Sequence, residues 1–247
     1  DMRLQALATY ERAVALSPNS APLRNEWALT YMDLGDLDGA EDKYTESLAI
    51  DDEYAQTYLL VGELRKARGD WRGAVEAYTR ATELDATSLQ AWAALGVAYS
   101  NLEEWQNAIH AYQRGLEVNY KVPPLWGYLG DAYSRLGDAE AAVDAYQRAV
   151  ALDDGFVAAW RALADHLVHL QRWADAEQAL TKLLNLSPDD YTAHRALAQL
   201  YLGTGRPAEA LPHAERALGL APEAERAALQ ALLAEASTAA GKDTPHP

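Results

Sequence analysis

A chain of 247 residues, 49% of them apolar, has enough material for a sizeable packed interior, and its formal charge of −16 sets it against polyanionic partners. Affinity for nucleic acid comes largely from Lys and Arg displacing counterions, and the same argument disfavours direct contact with anionic membrane surfaces. Cys is absent, which excludes disulfides and thiolate metal sites, and no apolar run approaches the roughly 18–20 residues of a membrane span.

In chain order, the first stretch, 1–20, predicts one helix with Ala6, Tyr10 and Ala13 on one face and Pro18 closing it. These residues recur every 34 positions. Ala6 is followed by Ala40, Ala74, Ala108, Ala142, Ala176 and Ala210, and Tyr10 by Tyr44, Tyr78, Tyr112 and Tyr146, with Leu180 and Ala214 continuing the series. The opening stretch is therefore the second half of a repeat whose first helix would lie upstream of Asp1. Six full repeats follow without insertion or loss: 21–54, 55–88, 89–122, 123–156, 157–190 and 191–224.

Each repeat predicts two helices, because apolar residues recur three and four apart in both halves and strand-like alternation is missing. Gly35, Gly69, Gly137 and Gly205 fall midway through their repeats, where the first helix must stop. The first halves carry Trp92, Trp126 and Trp160, then Leu95, Leu129 and Leu163, then Gly62, Gly96 and Gly130, then Tyr31, Tyr99, Tyr133 and Tyr201. Trp71, Trp105 and Trp173 open second helices, with packing against the preceding turn as the leading reading and ligand stacking as the other. The junction from Val118 to Pro124 departs from the pattern, with Tyr120 in place of a proline and two prolines opening the next helix, a position proline tolerates. Pro212, deeper in its helix, is expected to remove a hydrogen bond and bend it. Residues 225–240 predict a capping helix with Leu229, Leu232 and Leu233 on one face, and 241–247 a polar tail expected to be mobile.

The spacing W-x2-L-G-x2-Y, then A-x3-F and a closing Pro, resembles the tetratricopeptide repeat over nearly the whole chain. The resemblance implies an all-α, right-handed α-solenoid of antiparallel helix pairs with a concave groove lined by first-helix positions 2, 5, 9, 12 and 13. Carried onto this chain, the groove candidates are Asn25, Leu59, Glu63, Lys66, Asn101, Asp131, Arg135, Arg161, Asp165, His169, Arg195 and Gln199. Two ligand sets known in the family are not matched: the Lys/Asn two-carboxylate clamp of chaperone-binding members, since Leu29, Leu59 and Glu63 interrupt it, and the asparagine ladder of O-linked N-acetylglucosamine transferases.

Nothing in the sequence predicts an enzyme or a bound cofactor. The carboxylates fall in no motif with a partner base, Asp51-Asp52 and Asp189-Asp190 sit in turns where capping explains them, and there is neither a glycine-rich phosphate loop nor a nucleophile elbow. His166 and His169 lie one helical turn apart beside Asp165 without a third ligand, so they read as exposed surface and no metal site is predicted. The function expected is a non-catalytic protein–protein interaction scaffold that binds a partner segment in the groove. Arg161 and Arg195 share one groove position, with Arg135 nearby, and such a row favours a carboxylate or acidic segment unless Asp131 and Asp165 pair with it. Two alternatives stay open: head-to-tail self-association through the uncovered face of the first helix, and the soluble region of a larger bacterial membrane or secreted protein of the O-antigen ligase or glycosyltransferase-associated kind. No targeting segment marks a compartment.

Overall fold

The computed structural model describes residues 2–242; residues 243–247 of the expected tail lie outside them. Among the described residues every regular element is an α-helix: α1 (Met2–Leu16), α2 (Ala21–Leu34), α3 (Leu37–Ile50), α4 (Ala55–Ala67), α5 (Trp71–Leu84), α6 (Leu89–Asn101), α7 (Trp105–Val118), α8 (Pro123–Leu136), α9 (Ala139–Leu152), α10 (Val157–His169), α11 (Trp173–Leu186), α12 (Tyr191–Gly203), α13 (Pro207–Leu220) and α14 (Glu223–Lys242). They cluster into two compact parts, Asp1–Leu136 and Gly137–Pro247, the boundary falling inside the stretch 123–156. In the first part α2 packs on α3, α4 on α5 and α6 on α7, and in the second α10 packs on α11, α12 on α13 and α13 on α14.

The turn inside each pair is a backbone device. Gly35, Gly69, Gly137 and Gly205 have φ of 77°, 76°, 88° and 73°, the left-handed conformation that ends a helix. At Gly35 the amide donates to Met32 O and that of Asp36 to Tyr31 O, both at 3.0 Å, a Schellman closure repeated at Gly69 and Gly205. The same register position is Glu103 in the third repeat and Gln171 in the fifth, and both are forced to φ of 59° and 56°. Asp36, Asp70 and Asp138 then cap the second helix by accepting from the amides of Gly39, Gly73 and Ala141.

A second device ties five of the six first helices to the turn before them. The indole Nε1 of Trp92 donates to Ala86 O (2.9 Å), that of Trp126 to Tyr120 O (2.8 Å) and that of Trp160 to Asp154 O (3.0 Å). In the first and sixth repeats Arg24 Nη2 reaches Pro18 O at 3.0 Å and His194 Nε2 reaches Pro188 O at 3.0 Å from the same register position, which Tyr58 holds in the second. The irregular junction around Tyr120 therefore keeps its fastening. Each such bond contributes about 1 kcal/mol.

Packing between the two helices of a pair rests on small residues. Ala40, Ala74, Ala108, Ala142, Ala176 and Ala210 are all fully buried. Where the first helix has Gly62 or Gly96, the ring of Tyr78 or Tyr112 lies in the space a methyl group would take, 2.3 Å from the nearest ring carbon to an ideal Cβ. In the second part the equivalent pairs are Ala164 with Leu180 and Ala198 with Ala214, so the methyl group on the first helix accompanies a smaller partner on the second. Pro212 lies inside α13, which runs on to Leu220.

Candidate functional site

A hollow of the first part lies where α6, α7 and α8 meet, a cavity of about 430 Å³ lined by Val97, Ser100, Trp105, Tyr112, Tyr128, Asp131, Ala132, Ser134 and Arg135. Its floor is Tyr112, buried by the close approach to Gly96. The Tyr112 hydroxyl and Ser100 Oγ share a hydrogen bond of 3.0 Å, and its ring stacks on Tyr128 with centroids 5.8 Å apart. Burial pushes the phenol up to about 12, so it stays neutral throughout the physiological range. Tyr128, on the first helix of its repeat, is 45% exposed and forms a wall. Small or aliphatic residues, Leu60, Ala94, Ala162 and Ala196, occupy that register position in most other repeats. That exception was visible in the sequence and was the signal for this wall.

The rim carries the charge. The Arg135 guanidinium lies 5.9 Å from the Trp105 ring centre, and among the described residues no carboxylate is within ion-pair distance of it. This sets Arg135 apart from most of the chain's arginines, among them Arg24, Arg65, Arg68, Arg172, Arg206 and Arg216, which are paired with Glu46, Glu41, Asp38, Asp175, Glu177 and Asp189. A planar guanidinium held over an indole is preorganised to receive a carboxylate in a fixed geometry. The hollow thus combines aromatic walls with one guanidinium at its rim.

The groove candidates sit in different environments. Asp131 and Arg135 line the hollow together. Asn25 and Leu59 are only 4% and 2% exposed, so neither offers surface to a ligand: Asn25 Nδ2 donates to Thr57 Oγ1 at 3.0 Å, and Leu59 sits in a core with Tyr78 and Leu95. Glu63 accepts from the Tyr78 hydroxyl at 2.7 Å and pairs with Lys66, which makes both a local brace, while Asn101 caps back onto Val97 O at 2.8 Å. In the second part Asp165, His169 and Gln199 lie on exposed helix surface, and partial burial of its carboxyl raises the pKa of Asp165.

The arginine row of the second part differs from expectation. Arg161 pairs with Asp190 at 2.7 Å and Arg195 with Glu225 at 3.1 Å, rather than with Asp131 or Asp165. Asp190 is itself the N-cap of α12. Both guanidiniums are thus spent on joining α10 to the start of α12 and α12 to α14, and the shallow cavity beside Arg161, lined by Ser187 to Thr192, is a turn surface. His166 turns its Nδ1 to Ala162 O at 2.8 Å. Among the described residues no group of three or more His, Asp or Glu is arranged to hold a metal, and no helix is long and apolar enough to cross a membrane.

Solved structures with this arrangement of helix pairs include MamA, 27% identical over 65% of this chain and 94% of that one with a TM-score of 0.62. YrrB, a tetratricopeptide protein described as having an unusual peptide-binding site, is 20% identical over 79% and 97% of the two chains at a TM-score of 0.67. The C-terminal part of a repeat-containing protein from Cytophaga hutchinsonii is 18% identical over 90% and 91% at a TM-score of 0.76. No curated protein matches the chain. The family profile described as the cilia and flagella-associated protein 70 C-terminal domain matches residues 54–244. With its paired helices, left-handed glycine turns and alanine–tyrosine seams, the chain belongs to that tetratricopeptide-repeat family.

Proposed function

We propose that the chain is a non-catalytic scaffold that holds a segment of a protein partner, and that the hollow between α6, α7 and α8 is where the segment is anchored. The observation that carries this is the conjunction of exposed Tyr128, Trp105 and an Arg135 without a carboxylate in an otherwise heavily ion-paired acidic chain. The occupant is an apolar or aromatic side chain next to a carboxylate, the acid meeting Arg135. Selection of peptides from a random library on the immobilised protein tests it. Enriched peptides should pair an acid with a large apolar residue, weaken as salt rises, and lose at least tenfold in affinity to Arg135→Glu combined with Tyr128→Ala. Arg161→Glu with Arg195→Glu should leave peptide affinity within twofold. Peptides that bind the Arg135/Tyr128 variant as well as the wild type overturn the proposal.

A second reading, association of copies through α1, is favoured by one observation. Tyr10 and Ala13 are partly exposed although their register equivalents in α5, Tyr78 and Ala81, are buried, and Leu16 is 86% exposed. Light scattering across a hundredfold concentration range should then show a mass increase that Leu16→Glu removes; a constant monomer mass rules it out.

A further inference from the structure

The second and fifth repeats carry a cavity at the same register, and they differ in what fills it. In the fifth, Arg161 reaches Asp190 at 2.7 Å, with Ser187 lining the same cavity. In the second, the three corresponding residues are Leu59, Ser88 and Asp85. Leu59 is 2% exposed and packs into the core with Tyr78 and Leu95. The space is left open as a cavity of about 250 Å³, lined by Tyr54, Gln56, Leu59, Ala81, Asp85 and Ser88. The acid has thus moved from the helix start to the end of α5, and the cation is missing. Asp85 Oδ1 accepts from the amide of Thr87 at 3.0 Å and from its hydroxyl at 2.7 Å. Among the described residues Oδ2 accepts no hydrogen bond, and no cation lies within ion-pair distance of this carboxylate.

We propose that this cavity receives the charged end of a basic side chain, arginine or lysine, from the same partner segment that the hollow between α6, α7 and α8 anchors. The chain supplies the precedent: Arg161 and Arg195 share the register of Leu59, and both end on a carboxylate, at Asp190 and Glu225. In the second repeat the partner brings the cation that Leu59 does not. Buried Leu59 and Ala81 offer an apolar wall to the methylene stem, Tyr54 an aromatic one, and Asp85 the opposite charge. Walls that exclude part of the water make such a pair stronger than one on open surface. A net charge of −16 draws a basic side chain toward the chain. The proposal rests on the reading that a segment is anchored in the hollow, and α6 sets the distance between the two anchors. Ser88 caps the start of α6, and Val97 and Ser100 on its later turns line the hollow. The helical rise from Ser88 to Val97 or Ser100 is about 13–18 Å, which an extended segment covers in roughly four to six residues.

The test is the random-library selection run in parallel on three proteins: wild type, Asp85→Asn, whose amide oxygen still accepts from Thr87 without the charge, and Gln56→Lys, which sets a cation at an exposed position of the cavity. Wild type should enrich arginine or lysine roughly four to six residues from the acid and its large apolar neighbour, and which of the two it enriches identifies the source of the charge. Both variants should keep the acid and apolar pair and lose the basic residue. In an enriched peptide, replacing the basic residue by glutamine should cost about tenfold in affinity on wild type and less than about twofold on Asp85→Asn. Circular dichroism of the variants verifies that the helices persist. No basic preference on wild type, or the same preference on Asp85→Asn, overturns this site. Peptides that lose affinity to Arg135→Glu with Tyr128→Ala but are indifferent to Asp85→Asn overturn this site alone, whereas peptides that depend on Asp85 and not on Arg135 and Tyr128 overturn the anchoring hollow instead.

Discussion

Gly96→Ala is the sharpest probe of how the helix pairs are held together. A Cβ at this position would lie 2.3, 2.5 and 2.9 Å from three ring atoms of Tyr112, whereas carbon–carbon contacts are comfortable at about 3.5–4.0 Å. The ring must therefore retreat by roughly 1.2 Å. It has little freedom to do so, being buried, bonded through its hydroxyl to Ser100 and stacked on Tyr128. Overpacking of this kind costs about 1–3 kcal/mol, and a contact this short belongs at the upper end. Alanine returns about 1 kcal/mol of helix propensity over glycine, which leaves a net loss of about 2 kcal/mol. In a chain of this size that lowers the melting temperature by roughly 4–8 °C, measurable by scanning calorimetry. Gly219→Ala is the control: it sits near the end of α13 with nothing within 4 Å of its would-be Cβ, and should stabilise by about 0.5 kcal/mol. Adding Tyr112→Leu to Gly96→Ala reproduces the Ala164–Leu180 pairing of the fifth repeat and should recover about 1 kcal/mol of coupling. A Gly96→Ala protein as stable as wild type would refute the seam described here, since nothing else in the structure opposes that methyl group.

Glu103→Gly and Gln171→Gly relieve side chains held at positive φ and should each raise stability by about 0.5–1 kcal/mol in urea unfolding, unlike Gly→Ala at Gly69, which should lower it. Thr57→Val removes the hydroxyl that joins Asn25 Nδ2 and Ser47 Oγ, both at 3.0 Å in a dry site, and should cost about 1–3 kcal/mol by the same assay. His213 has its proton affinity lowered from the ordinary value near 6.5 by burial first and by His194 second. The unfolded chain therefore takes up that proton before the folded one, and stability should fall as pH drops below about 6.5. His213→Ala should flatten this part of the pH–stability curve, while losses below about pH 4.5, from ion-paired carboxylates such as Glu177, should persist.

Much of this architecture is written in register. Helix starts at Ala21, Ala55, Leu89, Pro123, Val157 and Tyr191 share one spacing, and so do the left-handed residues. Register is also why Glu103 and Gln171 are legible as strained, although neither is glycine. What register could not convey is where long side chains end. Register offers the arginine row Asp131 and Asp165, but a guanidinium reaches past its own helix, and Arg161 and Arg195 find partners about thirty residues on, at Asp190 and Glu225. Asn25 and Leu59 hold first-helix positions that the resemblance puts in the groove, yet here they are buried against Thr57 and Tyr78. Tyr128 becomes a wall only when α8 is set against Tyr112 of α7. The hydrophobic period shows which face of a helix is inward; it carries no information about which neighbour that face meets.

The bonds from Trp92, Trp126, Trp160, His194 and Arg24 to a carbonyl six residues back bear on how the protein is made. Together with the four- and six-residue closures at the glycine turns, they span so little chain that they need nothing from distant repeats. Contacts this local close in micro- to milliseconds, whereas a ribosome adding roughly 5–20 residues per second needs seconds for each repeat. Every helix pair can therefore settle on its predecessor before the next leaves the exit tunnel, and the order of synthesis becomes the order of assembly.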